Sequence, residues 1–365
     1  MAVAETTRPP LPRELQVEVT GACNLRCRMC LVSYRPALGK TSGAMDLETF
    51  TRLVDSLPGL ERVTMQGLGE PLLAPDFFPM LEHLAGRGIA MGFNTNGTLL
   101  TRERAERLVD LGVEWLHVSL DGATAKTYED VRHRSNFELV CRNLTTLVDV
   151  MHERGVEKPD VELVFVAMRR NVGELPALVR LAHDLGVPAV WVQNLSHSFS
   201  DTDPSGDYRA IREYAEDEAL WRGENPQAVR LFSEARALAE ELGVRLRIPR
   251  LEEPDLRREA GTPGCSWPFR SAYVTRDAKV QPCCAVMGAN RAVLGDAGRE
   301  GFEAVWEGDA YREFRARLLT DDPPDVCAGC SMYRRSFSAS AAALSGSLTT
   351  NASPRPARAM PSMRP

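Results

Sequence analysis

No stretch of the 365-residue sequence approaches the roughly 18 consecutive apolar residues that a membrane span needs. Residues 1–13 lack the apolar core of a secretory signal. A basic excess is missing as well. The 44 Lys and Arg stand against 50 Asp and Glu, a net charge of −6, which argues against nucleic acid as the main partner. With no membrane or export signal, the expected compartment is the cytoplasm, where thiols stay reduced. Nine cysteines then point to metal ligation rather than to a disulfide framework. An apolar content of 44% is that of an ordinary globular protein, and the length allows one large domain or two.

Eight of the nine cysteines fall in two groups, and only Cys141 stands apart. The first group is Cys23-Asn24-Leu25-Arg26-Cys27-Arg28-Met29-Cys30. Iron–sulfur clusters are held by thiolates, usually four of them, so three in one loop can fix three irons of a cubane and leave the fourth open. Structural zinc is the alternative, but it takes four ligands, and no nearby His or Cys completes the set.

Residues 14–20 alternate polar and apolar and predict a first strand that delivers this loop at its C-terminal end. A helix opens at Met45-Asp46-Leu47, with Phe50, Leu53, Val54 and Leu57 on one face and Pro58-Gly59 as its stop. The second strand, 62–66, runs into Gly67-Leu68-Gly69-Glu70-Pro71. The third, 89–93, runs into Asn94-Thr95-Asn96-Gly97-Thr98, and the fourth, 115–119, into Leu120-Asp121-Gly122. Helices over 78–85, 102–111 and 136–151 alternate with the strands, the last with Phe137, Val140, Cys141 and Leu144 on its apolar stripe. Residues 161–168 are a fifth strand, Asn171 to Glu174 reads as a capping box for a helix over 175–185, and 189–193 is a sixth strand. Six β-then-α units with buried, Val-rich strands describe a parallel sheet with helices outside, either doubly wound or a barrel. Residue types able to do chemistry recur after strands one to four, where such sheets bind ligands.

A polar loop, 196–208, comes after the sixth strand. The next helix, 226–242, has Asn225 as cap, Pro226 at its first position and Gly243 after its end. Residues 244–248 alternate as an edge strand, and 336–365 read as a disordered tail. The expected organisation is a flexible N-terminus over 1–13, a barrel over 14–200, a helical connector with edge strand over 201–257, a cysteine-rich domain over 258–335, and the tail.

Cys23-x3-Cys27-x2-Cys30 after the first strand, Gly67-Leu-Gly-Glu-Pro71 after the second, Asn94-Thr-Asn-Gly97 after the third and Val118-Ser-Leu-Asp-Gly122 after the fourth together resemble the radical S-adenosylmethionine (radical SAM) superfamily, over residues 14–195. The resemblance implies a partial (β/α)6 TIM-like barrel with a [4Fe–4S] cluster on Cys23, Cys27 and Cys30. The amine and carboxylate of S-adenosylmethionine would chelate the open iron. One electron from the cluster would then cleave the sulfonium to methionine and a 5′-deoxyadenosyl radical, which takes hydrogen from the substrate; the protein supplies placement and exclusion of water. An external reductant such as flavodoxin or ferredoxin is implied too. Gly67 and Gly69 would let backbone approach the methionyl group, and Glu70, followed by Pro71, would offer a carboxylate to its ammonium. Asn94, Asn96 and Ser119 suit the ribose and carboxylate, though each residue type also forms turns. Asn171 is either a helix cap or a ribose contact. Met29 replaces the family's usual aromatic beside the third cysteine and would pack on adenine.

The second group comprises Cys265, the Cys283-Cys284 pair and Cys327-Ala328-Gly329-Cys330, with a hairpin over 272–280 between the first two. Four cysteines including a CxxC are also a structural zinc pattern. The order resembles the twitch form of the SPASM extension, which implies one auxiliary [4Fe–4S] cluster on Cys265, Cys283, Cys327 and Cys330, with Cys284 spare. Trp267 and Phe269 are expected to pack around it, Cys141 to be a core thiol, and the acidic run 213–218 to be a solvated helix face. Arg169 and Arg170 could clamp an anionic substrate, and His197 could serve as acid or base.

The resulting expectation is an enzyme that oxidises or rearranges a small polar molecule, such as a sugar, aminocyclitol or nucleoside. Alternatives are a peptide maturase, disfavoured by the 13 residues before the first strand, a radical decarboxylase or dehydratase of a sugar or nucleoside acid, and a non-catalytic zinc scaffold.

Overall fold

Short β-rich segments alternate with amphipathic helices along the first two thirds of the chain, and the computed structural model folds them as a barrel-like sheet with helices outside. It describes residues 7–34, 43–195, 198–220, 225–248, 264–286, 288, 291–330 and 333. His197 and the expected tail over 336–365 lie outside these residues. No helix among the described residues is long and apolar enough to cross a membrane.

The strands are β1 (Glu14–Val17), β2 (Arg26–Cys27), β3 (Arg62–Met65), β4 (Ala90–Thr95), β5 (Trp115–Ser119), β6 (Arg132–His133), β7 (Asp160–Ala167), β8 (Ala189–Asn194), β9 (Arg245–Arg247), β10 (Ser271–Val274), β11 (Lys279–Gln281) and β12 (Gly295–Asp296). Ten of them form one sheet in the order β12-β11-β10-β1-β3-β4-β5-β7-β8-β9. From β1 to β9 every neighbouring pair is parallel. The expected edge strand becomes β9, at one end of the sheet. At the other end the C-terminal hairpin is not a detached unit: β10 runs parallel to β1 and continues the barrel sheet, with β11 and β12 turned back antiparallel.

Helix ends follow local chemistry. Asp46 caps Leu47–Asp55 through Thr49 N, Asn136 caps Phe137–Arg154, and Gly155 ends it in the left-handed region at φ 63°. Asn225 caps Pro226–Leu242, which stops at Gly243. Two expectations need correction. Ala125–Val131, capped by Thr124, is a helix that the sequence pattern does not announce. The capping box over 171–174 does not form: Asn171 makes no side-chain cap, and Glu174 reaches instead to the backbone N–H groups of Ala123 and Thr124.

Side chains alternate across the sheet. Leu15, Val63, Phe93, Leu116, Phe165 and Val190 pack into the continuous core shared with the helices. Residues of the opposite parity face the barrel interior. At its N-terminal end Trp115 lies across Gly92, where an added Cβ would sit 2.3 Å from the indole ring, and the Arg62 guanidinium stacks 3.4 Å from that ring's centroid. Replacing Gly92 by Ala is therefore expected to displace the ring at a cost of about 1–3 kcal/mol. The check is a lower midpoint in chemical denaturation followed by tryptophan fluorescence, and an unchanged midpoint would show that the ring can yield freely.

Candidate active site between two cysteine groups

The first cysteine loop is built almost entirely from contacts with other strand exits. Two-residue β2 pairs antiparallel with β6, setting Cys27 opposite Arg132. Cys30 N donates to Cys27 O at 3.1 Å, and Ser33 Oγ donates to the same carbonyl at 2.7 Å, which closes the turn into the short helix Leu31–Tyr34. Cys27 is buried, and Cys23 and Cys30 are partly buried. Burial pushes all three thiols up, Cys30 to about 12, with the neighbouring cysteines adding to the rise for Cys27 and Cys30. Thiols that resist ionising beside one another suit a site that a cation must complete.

The strand exits converge on this loop. An added Cβ on Gly69 would lie 2.2 Å from Thr20 O and 2.7 Å from Ala22 O, and Glu70 N donates to Ala22 O at 2.8 Å. Gly67 and Leu68 line the adjoining cavity, as does Met29. Glu70 does not open to that cavity. It is 1% exposed, and its carboxylate accepts from Thr95 Oγ1, Asn96 N and Leu72 N. Its expected bond to an ammonium gives way to an internal bracing role, and Pro71 is likewise buried in the turn Pro71–Leu73. Asn96 donates to Asn24 Oδ1 at 2.9 Å, and its Nδ2 lies 4.0 Å from Cys23 Sγ, so it holds the loop. Asn94 meets the ring of His117 at 3.2 Å. Ser119 stands at the end of β5. Asn171 also departs from expectation. It is fully buried, its two amide hydrogens go to Asp121 O and Val166 O, and its oxygen accepts from Met168 N. No hydrogen is left for a ribose.

The second group converges near the first. Cys265, Cys283, Cys327 and Cys330 pack with Phe269, Phe314, Leu318 and Tyr333. The Cys283 thiol is driven well above its ordinary value by burial first, then by the thiols of Cys284, Cys330, Cys327 and Cys265. Cys284 turns toward the amide of Gln16 in β1. Ser198, after β8, binds Gly329 O through both its N–H (3.1 Å) and its hydroxyl (3.0 Å), which ties the CxxC to the barrel mouth. Among the described residues no three His, Cys, Asp or Glu side chains converge tightly enough to chelate a single metal ion. Four thiols including a CxxC are a donor set that an iron–sulfur cluster can take.

One cavity of about 380 Å³ is lined by Cys30 of the first group and by Cys265, Cys283, Cys284, Cys327 and Cys330 of the second. Its floor carries Gln16, Gln66, Gln193, Asn194 and Arg247, and its walls are mainly apolar. Trp267 lines it too. Arg169 and Arg170 do not. Arg170 is held by Glu218 (2.6 Å) and Asp130 (3.0 Å), so it is no anion clamp, and Glu218 is buried rather than on a solvated face. Cys141 is a half-buried thiol packed on the core, raised by burial to about 11.

Sequence reasoning missed the residues that join the pieces. Glu18, just beyond β1, accepts from Leu68 N (3.0 Å) and Tyr273 OH (2.8 Å) and faces Arg276 Nη1 at 3.4 Å, so it locks the strand-two exit to the C-terminal hairpin. In an alternating strand its charge reads as solvent-facing, and nothing local says otherwise. Arg132 and Asp121 form a second buried pair, at 2.6 Å. Arg276→Met would leave the Glu18 charge without its partner, at an expected cost of about 3–5 kcal/mol. The variant should unfold at lower denaturant and be cleaved faster within 264–330, with the E18Q/R276M double variant recovering part of the loss.

The family model described as the Radical SAM superfamily matches residues 17–190, and the SPASM iron–sulfur cluster-binding domain matches 265–331. The chain is 35% identical over 185 residues to a tungsten-containing aldehyde ferredoxin oxidoreductase cofactor-modifying protein of Pyrococcus furiosus, covering 50% of this chain and 51% of that one. It thus spans about half the length of that relative. It is 27% identical over 335 residues to an AdoMet-dependent heme synthase of Methanosarcina barkeri, covering 87% of this chain and 91% of the other. The mycofactocin maturase MftC of Mycobacterium tuberculosis is 31% identical over 171 residues, 46% of this chain and 41% of its own. Among solved structures, Streptococcus suis SuiB bound to precursor peptide SuiA superposes with a TM-score of 0.67 at 15% identity, over 91% of this chain and 72% of SuiB, a likeness of fold.

Proposed function

The chain belongs to the radical S-adenosylmethionine superfamily and carries its SPASM iron–sulfur extension, and from that premise we propose that it oxidises or rearranges a small molecule held between two [4Fe–4S] clusters. When bound, the first cluster and S-adenosylmethionine supply one-electron sulfonium cleavage and a 5′-deoxyadenosyl radical that removes hydrogen from the substrate. Cys23, Cys27 and Cys30 would hold the first cluster, and Cys265, Cys283, Cys327 and Cys330 the auxiliary one. Met29 offers an apolar face to the adenine, and the backbone of Gly67 and Leu68 borders the place of the methionyl group. The observation that supports the reading is the shared cavity: a substrate in it would border both Cys30 and the second cysteine group. A cluster held by Cys265, Cys283, Cys327 and Cys330 would supply an acceptor for the electron left after hydrogen removal, and the reaction would then be a two-electron oxidation.

The cavity narrows the substrate class. Among the described lining residues Arg247 alone is charged, and it is paired with Glu162 at 2.5 Å. Both ends of the Asn194 amide are buried without a partner among the described residues, as is Gln16 Oε1. Such a floor suits neutral donors and acceptors on a largely apolar body, more than a polyhydroxylated sugar or an acid. The match along 91% of a heme synthase favours a second reading within the same chemistry, a flat ring system lying against Trp191, Phe199 and Phe314. A reducing compartment such as the cytoplasm, with a flavodoxin or ferredoxin as donor, suits nine free thiols. A panel of small molecules, tetrapyrroles and peptides, assayed anaerobically for reductant-dependent conversion coupled to 5′-deoxyadenosine, identifies the substrate.

Protein prepared without oxygen should carry roughly eight irons, and roughly four after C327A/C330A. That double variant should still form 5′-deoxyadenosine while losing oxidised product; full product turnover would remove the auxiliary cluster from the mechanism. Cys27→Ala should form no 5′-deoxyadenosine, and retained cleavage would refute the loop assignment.

A further inference from the structure

We infer that Arg132 sets the reduction potential of the cluster held by the first cysteine loop. The inference rests on the proposed function, in which Cys23, Cys27 and Cys30 are that cluster's ligands. Arg132 lies opposite Cys27 in the β2–β6 pair, and its Nη1 points at Cys27 Sγ from 3.7 Å, within reach of an N–H···S contact. The guanidinium is buried, and its Nε donates to Asp121 Oδ2 at 2.6 Å. Asp121 is itself fully buried, and its other oxygen accepts from Val166 N at 2.7 Å. Asn171 braces the Asp121 carbonyl at 3.1 Å. The carboxylate thus sits behind the arginine, partly neutralised by a backbone N–H, and the positive face is turned to the thiol.

A structural ion pair alone does not account for this orientation. Burying a guanidinium is costly, and an apolar pair would fill the same space. Two other arginines flank the loop, but Arg28 is spent on the exposed carboxylate of Asp130, and Arg26 binds the backbone oxygens of Cys23 and Leu25. Glu70, another buried acid beside the loop, is already bonded by three donors. Arg132 is the cation that acts on a ligand sulfur at low dielectric, where charge acts most strongly. Hydrogen bonds to ligand sulfurs and net charge set iron–sulfur potentials. A cation and an N–H donor at Cys27 stabilise the reduced, more negative cluster and raise its potential. Arg132 is a positioning and tuning residue: it touches a ligand, not the substrate.

The test is an anaerobic redox titration of the full chain, read by electron paramagnetic resonance. The first cluster is identified as the reduced signal that changes when S-adenosylmethionine is added. R132Q should lower its midpoint by at least 59 mV, a tenfold change in the one-electron equilibrium. R132K, which keeps the charge, should shift it less, and D121N, which removes the counter-charge, should raise it. An unshifted midpoint in R132Q with the responsive signal intact overturns the inference. If R132Q assembles no cluster, D121N decides: a raised midpoint sustains the inference and an unchanged one overturns it. A wild-type protein with no S-adenosylmethionine-responsive signal overturns instead the assignment of the loop as a cluster site.

Discussion

The backbone at Gly69 passes so close to the cysteine loop that no side chain fits between them, since a Cβ there would overlap the carbonyls of Thr20 and Ala22. This approach allows Glu70 N to bond Ala22 O, which turns the Glu70 carboxylate inward to gather Thr95 and the Asn96 backbone. Asn96 in turn reaches Asn24 and approaches Cys23. The exits of β1, β3 and β4 are therefore one hydrogen-bonded unit, and the cysteine loop is its product. A loop of this length with three buried or half-buried thiols has little apolar surface of its own, so its shape must come from such bonds.

The same economy joins the two halves of the molecule. Because β10 pairs with β1, the strand that delivers the first cysteine loop also carries the hairpin leading to Cys283. Glu18 bonds the β3 exit and the hairpin from one carboxylate, and the Ser198–Gly329 contacts tie the far side of the cavity to β8. The distance between the two cysteine groups is then set by shared strands rather than by a linker.

Much of the barrel was legible in the sequence. Val-rich strands punctuated by Gly67, Asn94 and Asp121 announce both the parallel order and the side on which chemistry collects, because burial on two faces and ligand binding at strand ends are properties of the sheet itself. The cysteine spacing was equally plain. Features that depend on distant partners were not. A two-residue strand such as Arg26–Cys27 has no periodicity to read, and Arg132 looks like any surface arginine until β6 sets it against Cys27. Glu218 sits in an acidic helix but is buried, where it pairs with Arg170. The helix Ala125–Val131 is short, and Lys126, Glu129 and Asp130 dilute its apolar face.

The corrections share one cause. Glu70, Asn96 and Asn171 stand where a cofactor would be met, and each is polar enough to bind one, yet each is buried and bonded to the chain itself. A polar side chain at a strand exit must be satisfied with or without a ligand, and the nearest partners are the neighbouring exits. On the proposed reading, contacts with S-adenosylmethionine would fall to groups the chain leaves available: the backbone at Gly67 and Leu68, the thioether of Met29 and the hydroxyl of Ser119. Backbone and apolar contacts discriminate shape more than charge, so this half of the site suits a fixed cofactor. Among the described residues, Asn194 and Gln16 in the cavity lining carry buried side-chain atoms without a partner, and on the proposed reading they would discriminate between substrates.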